Sequence, residues 1–175
     1  RLIVREFGLP LNPSLHFLLE LREDSTPDAA ESMLGTMLAF SEYLMARDVT
    51  HSVSWISEEG GLRTMPVTGP EALASVLHDL LALPGQARWS TLERFATEGA
   101  ARADTHLVYL VAGSVLGSAG DEAGARLLAT ITDLGVCRRF TLMPDACDEK
   151  TALALRDLGC EVQLLDGSVP GAEAE

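Results

Sequence analysis

The sequence predicts a doubly wound α/β domain: a mostly parallel six-stranded sheet with one antiparallel edge strand and helices on both faces. Three observations predict it. Short apolar runs of strand length alternate with longer stretches whose apolar residues recur at three- and four-residue spacing. One pair of strand-like runs is joined by the turn residues Glu59, Gly60 and Gly61, which makes a hairpin and therefore an antiparallel pair. The remaining strands are separated by helices, and helical crossovers bring the chain back parallel with helices on the two sides of the sheet.

Residues 2–7 mix apolar and charged side chains and read as a half-exposed lead-in strand, whereas residues 15–21, with Phe17, Leu18 and Leu19 in succession, read as a buried central one. Thr26, Pro27 and Asp28 supply an N-cap, a proline at the first helical position and an acid in the first turn. The helix they open presents Ala30, Met33, Leu34, Met37, Leu38, Leu44 and Met45 to the sheet. Residues 51–57 and 62–67 are the two arms of the hairpin. Gly69, Pro70 and Glu71 start a second helix with Leu73, Val76, Leu77, Leu80 and Leu81 on its buried stripe, and Pro84 with Gly85 ends it.

Ser90 and Glu93 have capping-box spacing and begin a short helix running to Gly99. Residues 106–112 form the strongest buried strand, followed by a glycine-rich loop over residues 113–120. Asp121 caps a helix carrying Leu127, Leu128, Ile131 and Leu134, stopped by Gly135. A strand at residues 137–143, a helix at 148–158 and a strand at 160–165 complete the pattern. The expected organisation is a lead-in strand from an upstream region (residues 1–14), one folded domain (15–166) and a flexible acidic tail (167–175).

Composition narrows the function. The 175 residues are 47% hydrophobic and 22% charged, ordinary for one globular domain and too apolar for disorder. The net charge of -13 repels a nucleic-acid backbone, so nucleic acid is not an expected partner. Cys137, Cys147 and Cys160 are odd in number and lack Cys-x-x-Cys spacing, so neither a disulfide framework nor a zinc site is indicated. Cys137 and Cys160 open predicted strands and are read as core. No apolar run is long enough to span a bilayer, so no membrane contact is expected of these residues. A start at Arg1 in a strand-like segment leads us to expect a piece of a longer protein.

The order of elements resembles the von Willebrand factor type A fold. The opening is more specific: Leu2, Ile3, Val4, Arg5, Glu6 and Phe7, followed by Phe17, Leu18, Leu19 and Glu20, resemble the Val-Arg-Glu-Phe strand and first type A strand of domain-of-unknown-function family 58. By pattern the likeness extends over nearly the whole chain; near-literal residues are confined to the opening. It implies a cytoplasmic domain of a membrane-anchored bacterial protein, encoded beside and working with a MoxR-type AAA ATPase.

Type A domains that bind through a metal use an Asp-x-Ser-x-Ser motif after the first strand, because magnesium wants hard oxygen ligands in octahedral order. The matching positions here are Glu20, Arg22 and Asp24, with Leu21 and Glu23 between them. Arg22 puts a fixed cation where a serine ligand belongs, and a cation there opposes a metal ion directly. Gly113 and Ser114 stand where the family places a further aspartate, and Thr91 is the candidate for its threonine. The expectation is a degenerate metal site; Glu20 and Asp24 are weak candidates for a cation held in another arrangement.

The glycine-rich stretch 113–120 lies between a strand and a helix, where phosphate could meet free amides, but it lacks both the P-loop and the dinucleotide fingerprint. No Gly-x-Ser-x-Gly elbow is present, so hydrolase chemistry lacks its nucleophile signal. His16, His51 and His106 each open a predicted parallel strand and could gather at the edge opposite the ligand side; they are read as polar residues at strand starts, with a three-imidazole zinc site as the alternative. Trp55 suits burial, while Trp89 could be an exposed anchor for a partner.

The expected function is a non-enzymatic protein-interaction domain with no cofactor. Its contact edge is predicted at Glu20, Arg22, Glu23, Asp24, Ser25, Trp89, Ser90, Thr91, Gly113 and Ser114. The alternatives are a metal-dependent binding domain using Glu20 and Asp24, and an enzyme using the 113–120 loop.

Overall fold

The computed structural model describes residues 14–83, 88–98, 104–117 and 122–165. The lead-in strand expected at 2–7, the tail at 167–175, the helix stop at Pro84 and Gly85 and the cap at Asp121 lie outside the described residues. Within them run β1 (Ser14–Glu20), α1 (Pro27–Met45), β2 (His51–Ile56), β3 (Leu62–Val67), α2 (Pro70–Leu81) and α3 (Thr91–Thr97). These are followed by β4 (Thr105–Val111), α4 (Gly113–Leu116), α5 (Glu122–Asp133), β5 (Arg138–Met143), α6 (Glu149–Asp157) and β6 (Cys160–Leu164).

The six strands lie in the order β3-β2-β1-β4-β5-β6, parallel throughout except that β2 and β3 are antiparallel. The fold is therefore the expected doubly wound α/β sheet with one antiparallel edge. From β1 the chain builds outward through β2 to β3, then restarts on the other side of β1 with β4. That reversal makes the carboxyl ends of β1 and β4 the natural crevice of the sheet.

Strand alternation sends side chains to two cores. Phe17 and Leu19 of β1, Val53 and Trp55 of β2 and Val108 and Leu110 of β4 meet Met33 and Met37 of α1 and Val76 and Leu80 of α2. Leu18, Leu107, Tyr109 and Val111 turn the other way, against Leu92 and Phe95 of α3, Leu116 of α4, Ile131 of α5 and Leu155 of α6. Helix starts follow the sequence signals: Thr26 Oγ1 accepts from the Ala29 amide, Ser90 Oγ from Glu93 and Asp148 Oδ1 from Thr151.

Three expectations need correction. Cys137 is exposed just before β5, where its amide donates to the Thr105 carbonyl at 2.8 Å, so it bridges strand ends rather than filling the core; Cys160 is buried. Leu81, placed on the buried stripe of α2, is 75% exposed, because it lies one residue round the helix from Leu80, off the face that Leu73, Val76 and Leu80 bury. Residues 113–116 are a short helix, not loop. His16 and His51, read as polar residues at strand starts, turn to opposite faces of the sheet. His16 faces α3, with Nε2 2.7 Å from Ser54 Oγ and its ring against Phe95, whereas His51 faces α1, with Nε2 2.9 Å from Ser41 Oγ and its ring edge on Phe17. Adjacent register positions of a sheet point to opposite faces, so strand starts alone could not bring three imidazoles together.

Candidate functional site at the strand carboxyl edge

Glu20 is the last residue of β1 and lies in register with Val111 of β4, at the reversal of strand order. It shares a face with Leu18 and enters the protein: the residue is 1% exposed. Its carboxylate takes four hydrogen bonds. Oε1 accepts from the Thr91 amide at 2.9 Å, and Oε2 from the Leu92 amide at 3.2 Å, Ser90 Oγ at 3.2 Å and the Tyr109 hydroxyl at 2.9 Å. Ser90 Oγ in turn accepts from the Glu93 amide. The amides of Thr91, Leu92 and Glu93 are three of those that a helix leaves unpaired at its start, so Glu20 and Ser90 between them complete the first turn of α3.

Burial raises the pKa of Glu20 above the ordinary glutamate value, and the Thr91 amide, the Tyr109 hydroxyl, the Leu92 amide and the charge of Arg22 pull it back down. Tyr109 is pushed well above the usual phenol range, first by burial and then by the charge and hydrogen bond of Glu20. The Tyr109 hydroxyl donates to Glu20 Oε2, so it occupies a carboxylate lone pair of the kind a hard cation would need.

The loop after β1 is held separately. Arg22 Nε lies 3.4 Å from Asp24 Oδ1, an ion-pair contact that falls short of hydrogen-bond geometry. Glu23 meets Arg88 at 3.4 Å, with both side chains largely exposed, so this pair contributes little. Ser25 is buried; its amide donates to the Arg22 carbonyl, while its hydroxyl has no protein partner among the described residues.

Across the crevice, the Gly113 amide donates to Asp145 Oδ1 at 2.7 Å and the Ser114 amide to Oδ2 at 3.2 Å. Asp145 therefore occupies the start of α4, the position that a phosphate would need. Gly113 admits no side chain, since a Cβ would sit 2.5 Å from the Asp145 carbonyl oxygen.

Trp89 is 47% exposed, and it is held rather than free. Its indole lies across Gly60 in the hairpin turn, where φ is +80° and a Cβ would come within 2.6 Å of the ring. Glu23, Asp24, Trp89 and Ser114 thus present surface to solvent, and Arg22 and Ser90 do so in part. Glu20, Ser25, Thr91 and Gly113, predicted at the contact edge, are buried and turn inward. They support the edge from within.

Three contributors were missed. Tyr109 has a signal in strand parity: it lies two residues before Val111, on the face to which Glu20 points. Asp145 follows β5 at the same edge, and Gly60 follows the hairpin's acidic turn residues. Among the described residues no group of three His, Cys, Asp or Glu side chains is placed to hold a metal ion, and no helix is long and apolar enough to cross a membrane. No protein-family model matches the chain, and no curated protein matches it significantly.

Proposed function

We propose that the chain is a non-enzymatic protein-interaction domain of type A-like architecture, belonging to domain-of-unknown-function family 58 and acting as an adaptor for a MoxR-type AAA ATPase or an envelope-associated assembly. The observation that carries this reading is the inward engagement of Glu20. The carboxylate at the head of the would-be metal motif is saturated by the first turn of α3 and by Tyr109. A side chain so engaged is an architectural acceptor, and removing it from those donors would leave buried N–H and O–H groups unpaired. The start of α4 is likewise filled by Asp145, which works against phosphate chemistry there.

What remains outward on this edge is a half-exposed tryptophan seated on the hairpin turn, with Glu23 paired to the neighbouring Arg88 and with Arg22, Asp24 and Ser114 elsewhere along the same edge. A fixed aromatic with a polar rim is the arrangement that protein interfaces use as a centre of binding. The test is a pull-down comparing the wild-type chain, the double variant Trp89→Ala/Arg22→Ala and the control Leu81→Ala, which alters an exposed apolar residue on another part of the surface. The proposal expects the double variant alone to lose its partner; retention of every partner by that variant removes this edge as the contact surface.

A further inference from the structure

The two faces of the sheet are covered unequally. Leu92, Leu116, Ile131 and Leu155 bring α3, α4, α5 and α6 onto one face, whereas among the described residues α1 and α2 are the helices that enter the other core. On that second face α2 lies against β3 and α1 against β4, and an apolar groove of about 630 Å³ runs between α1 and β6. Leu15, Phe17, Phe140 and Leu142 form its floor. Phe40 and Tyr43 of α1 stand at one rim, 43% and 55% exposed, and Glu161 and Gln163 of β6 make the other. Strand parity explains the second rim: Glu161 and Gln163 pair with Phe140 and Leu142 and share their face of the sheet.

We propose that this groove docks a basic amphipathic helix of a partner protein. Shape selects a helix. The floor is a sheet face, which offers side chains rather than a strand edge, and a partner helix laid on it takes the place beside α1 that a third helix would fill. The second wall is a strand and not a helix, so one side of any occupant stays in water; a small-molecule site encloses most of its ligand. The six residues of β5 run roughly 20 Å at about 3.3 Å each, the length of about 13 helical residues at about 1.5 Å each. A helix of that length with apolar residues at i, i+3, i+4 and i+7 lays them on Phe40, Phe140 and Leu142 and keeps its polar side outward.

Charge selects a basic one. Glu161 is the charged residue of the lining, and the chain around it carries a net charge of -13. Two arginines adjoin the lining, and both are engaged. Arg138 lies 3.8 Å from Glu161, while Arg47 stacks 3.5 Å from the centre of the Tyr43 ring and donates to the Tyr43 carbonyl. The same net charge opposes a second copy as the occupant. No lining residue belongs to the edge around Trp89, so this contact stands apart from the one proposed there.

The experiment uses the full chain and a fluorescein-labelled peptide of about 14 residues with leucines on one helical face and lysines on the other. Fluorescence anisotropy compares it with a peptide of the same composition in scrambled order and with one carrying glutamate in place of lysine. The proposal expects saturable binding of the amphipathic lysine peptide, about tenfold tighter than either comparison, and a loss of about tenfold in Phe40→Asp, with circular dichroism confirming the fold. Glu161→Lys/Gln163→Lys, two exposed positions on the far rim, is expected to shift the preference toward the glutamate peptide, and it decides the matter if Phe40→Asp does not fold. Absence of binding, equal binding of the scrambled peptide, an affinity that folded Phe40→Asp leaves unchanged, or a preference that the rim variant does not move overturns the proposal. A wild-type dimer in sedimentation that Phe40→Asp dissolves assigns the groove to a second copy and overturns it as well.

Discussion

Glu20 is held where water does not reach it because donors from two elements converge on it: two amides and a hydroxyl at the start of α3, and a phenol from β4. Removing the carboxylate leaves those groups buried and unpaired, so Glu20→Ala is predicted to destabilise the fold by about 3 kcal/mol, and Tyr109→Phe by about 1 kcal/mol, in urea denaturation. A loss below about 0.5 kcal/mol for Glu20→Ala would mean that water replaces the carboxylate freely. Burial also sets the response to acid. His16 is lowered to about 4 by desolvation, so its native state resists a proton that the unfolded chain accepts at 6.5. Its contribution is present above pH 6.5 and is lost as pH falls toward 4, by about 3 kcal/mol in all. His51 is lowered too and acts in the same direction. Glu20 acts oppositely: its raised pKa favours the folded state below the unfolded value of 4.5 and withdraws that benefit as pH rises through the folded value. Stability measured from pH 7 down to pH 4 should therefore fall, and His16→Gln should flatten the slope. An unchanged slope in that variant would exclude His16 as the source.

Among the elements, the two turns that build the candidate edge depend on glycines for different reasons. Gly60 has φ +80° and lies under the Trp89 ring, so Gly60→Ala is predicted to lift the indole off the hairpin, cost about 1 kcal/mol and change the tryptophan emission; unaltered emission would mean that Trp89 does not rest there. Gly113 touches the backbone after β5, and Gly113→Ala should cost about 2 kcal/mol by forcing α4 away from Asp145, measured by thermal unfolding. Elements whose signals are local were legible in the sequence: the caps at Thr26, Ser90 and Asp148 and the hairpin turn lie within a few residues of what they organise. The contacts that define the site were not legible. Tyr109 is 89 residues from Glu20 and Asp145 is 32 from Gly113, and hydrophobic periodicity carries no information about pairs so far apart. The same limit explains why residues 113–116 read as loop: that helix is short, and an acid from another crossover caps it.

For the whole molecule, alternating strand and helix patterns and one hairpin were enough to predict a parallel sheet with an antiparallel edge, because crossover geometry leaves few other arrangements. They did not predict how the helices divide between the faces, since an apolar stripe tells that a helix packs and not which side it packs on. That division leaves the groove beside α1 open and concentrates the helices on the face where Glu20 is buried. The account turns on whether the carboxyl edge is an electrostatic trap for a cation or an internally saturated support for a protein contact. Titration of the chain with magnesium and manganese by calorimetry, paired with unfolding temperatures, tests this most directly. The account predicts only heats of dilution and no rise in unfolding temperature for the wild type. Saturable binding that stabilises the wild type and disappears in Glu20→Gln would contradict it, because Glu20 would then have left α3 and Tyr109 to hold a metal.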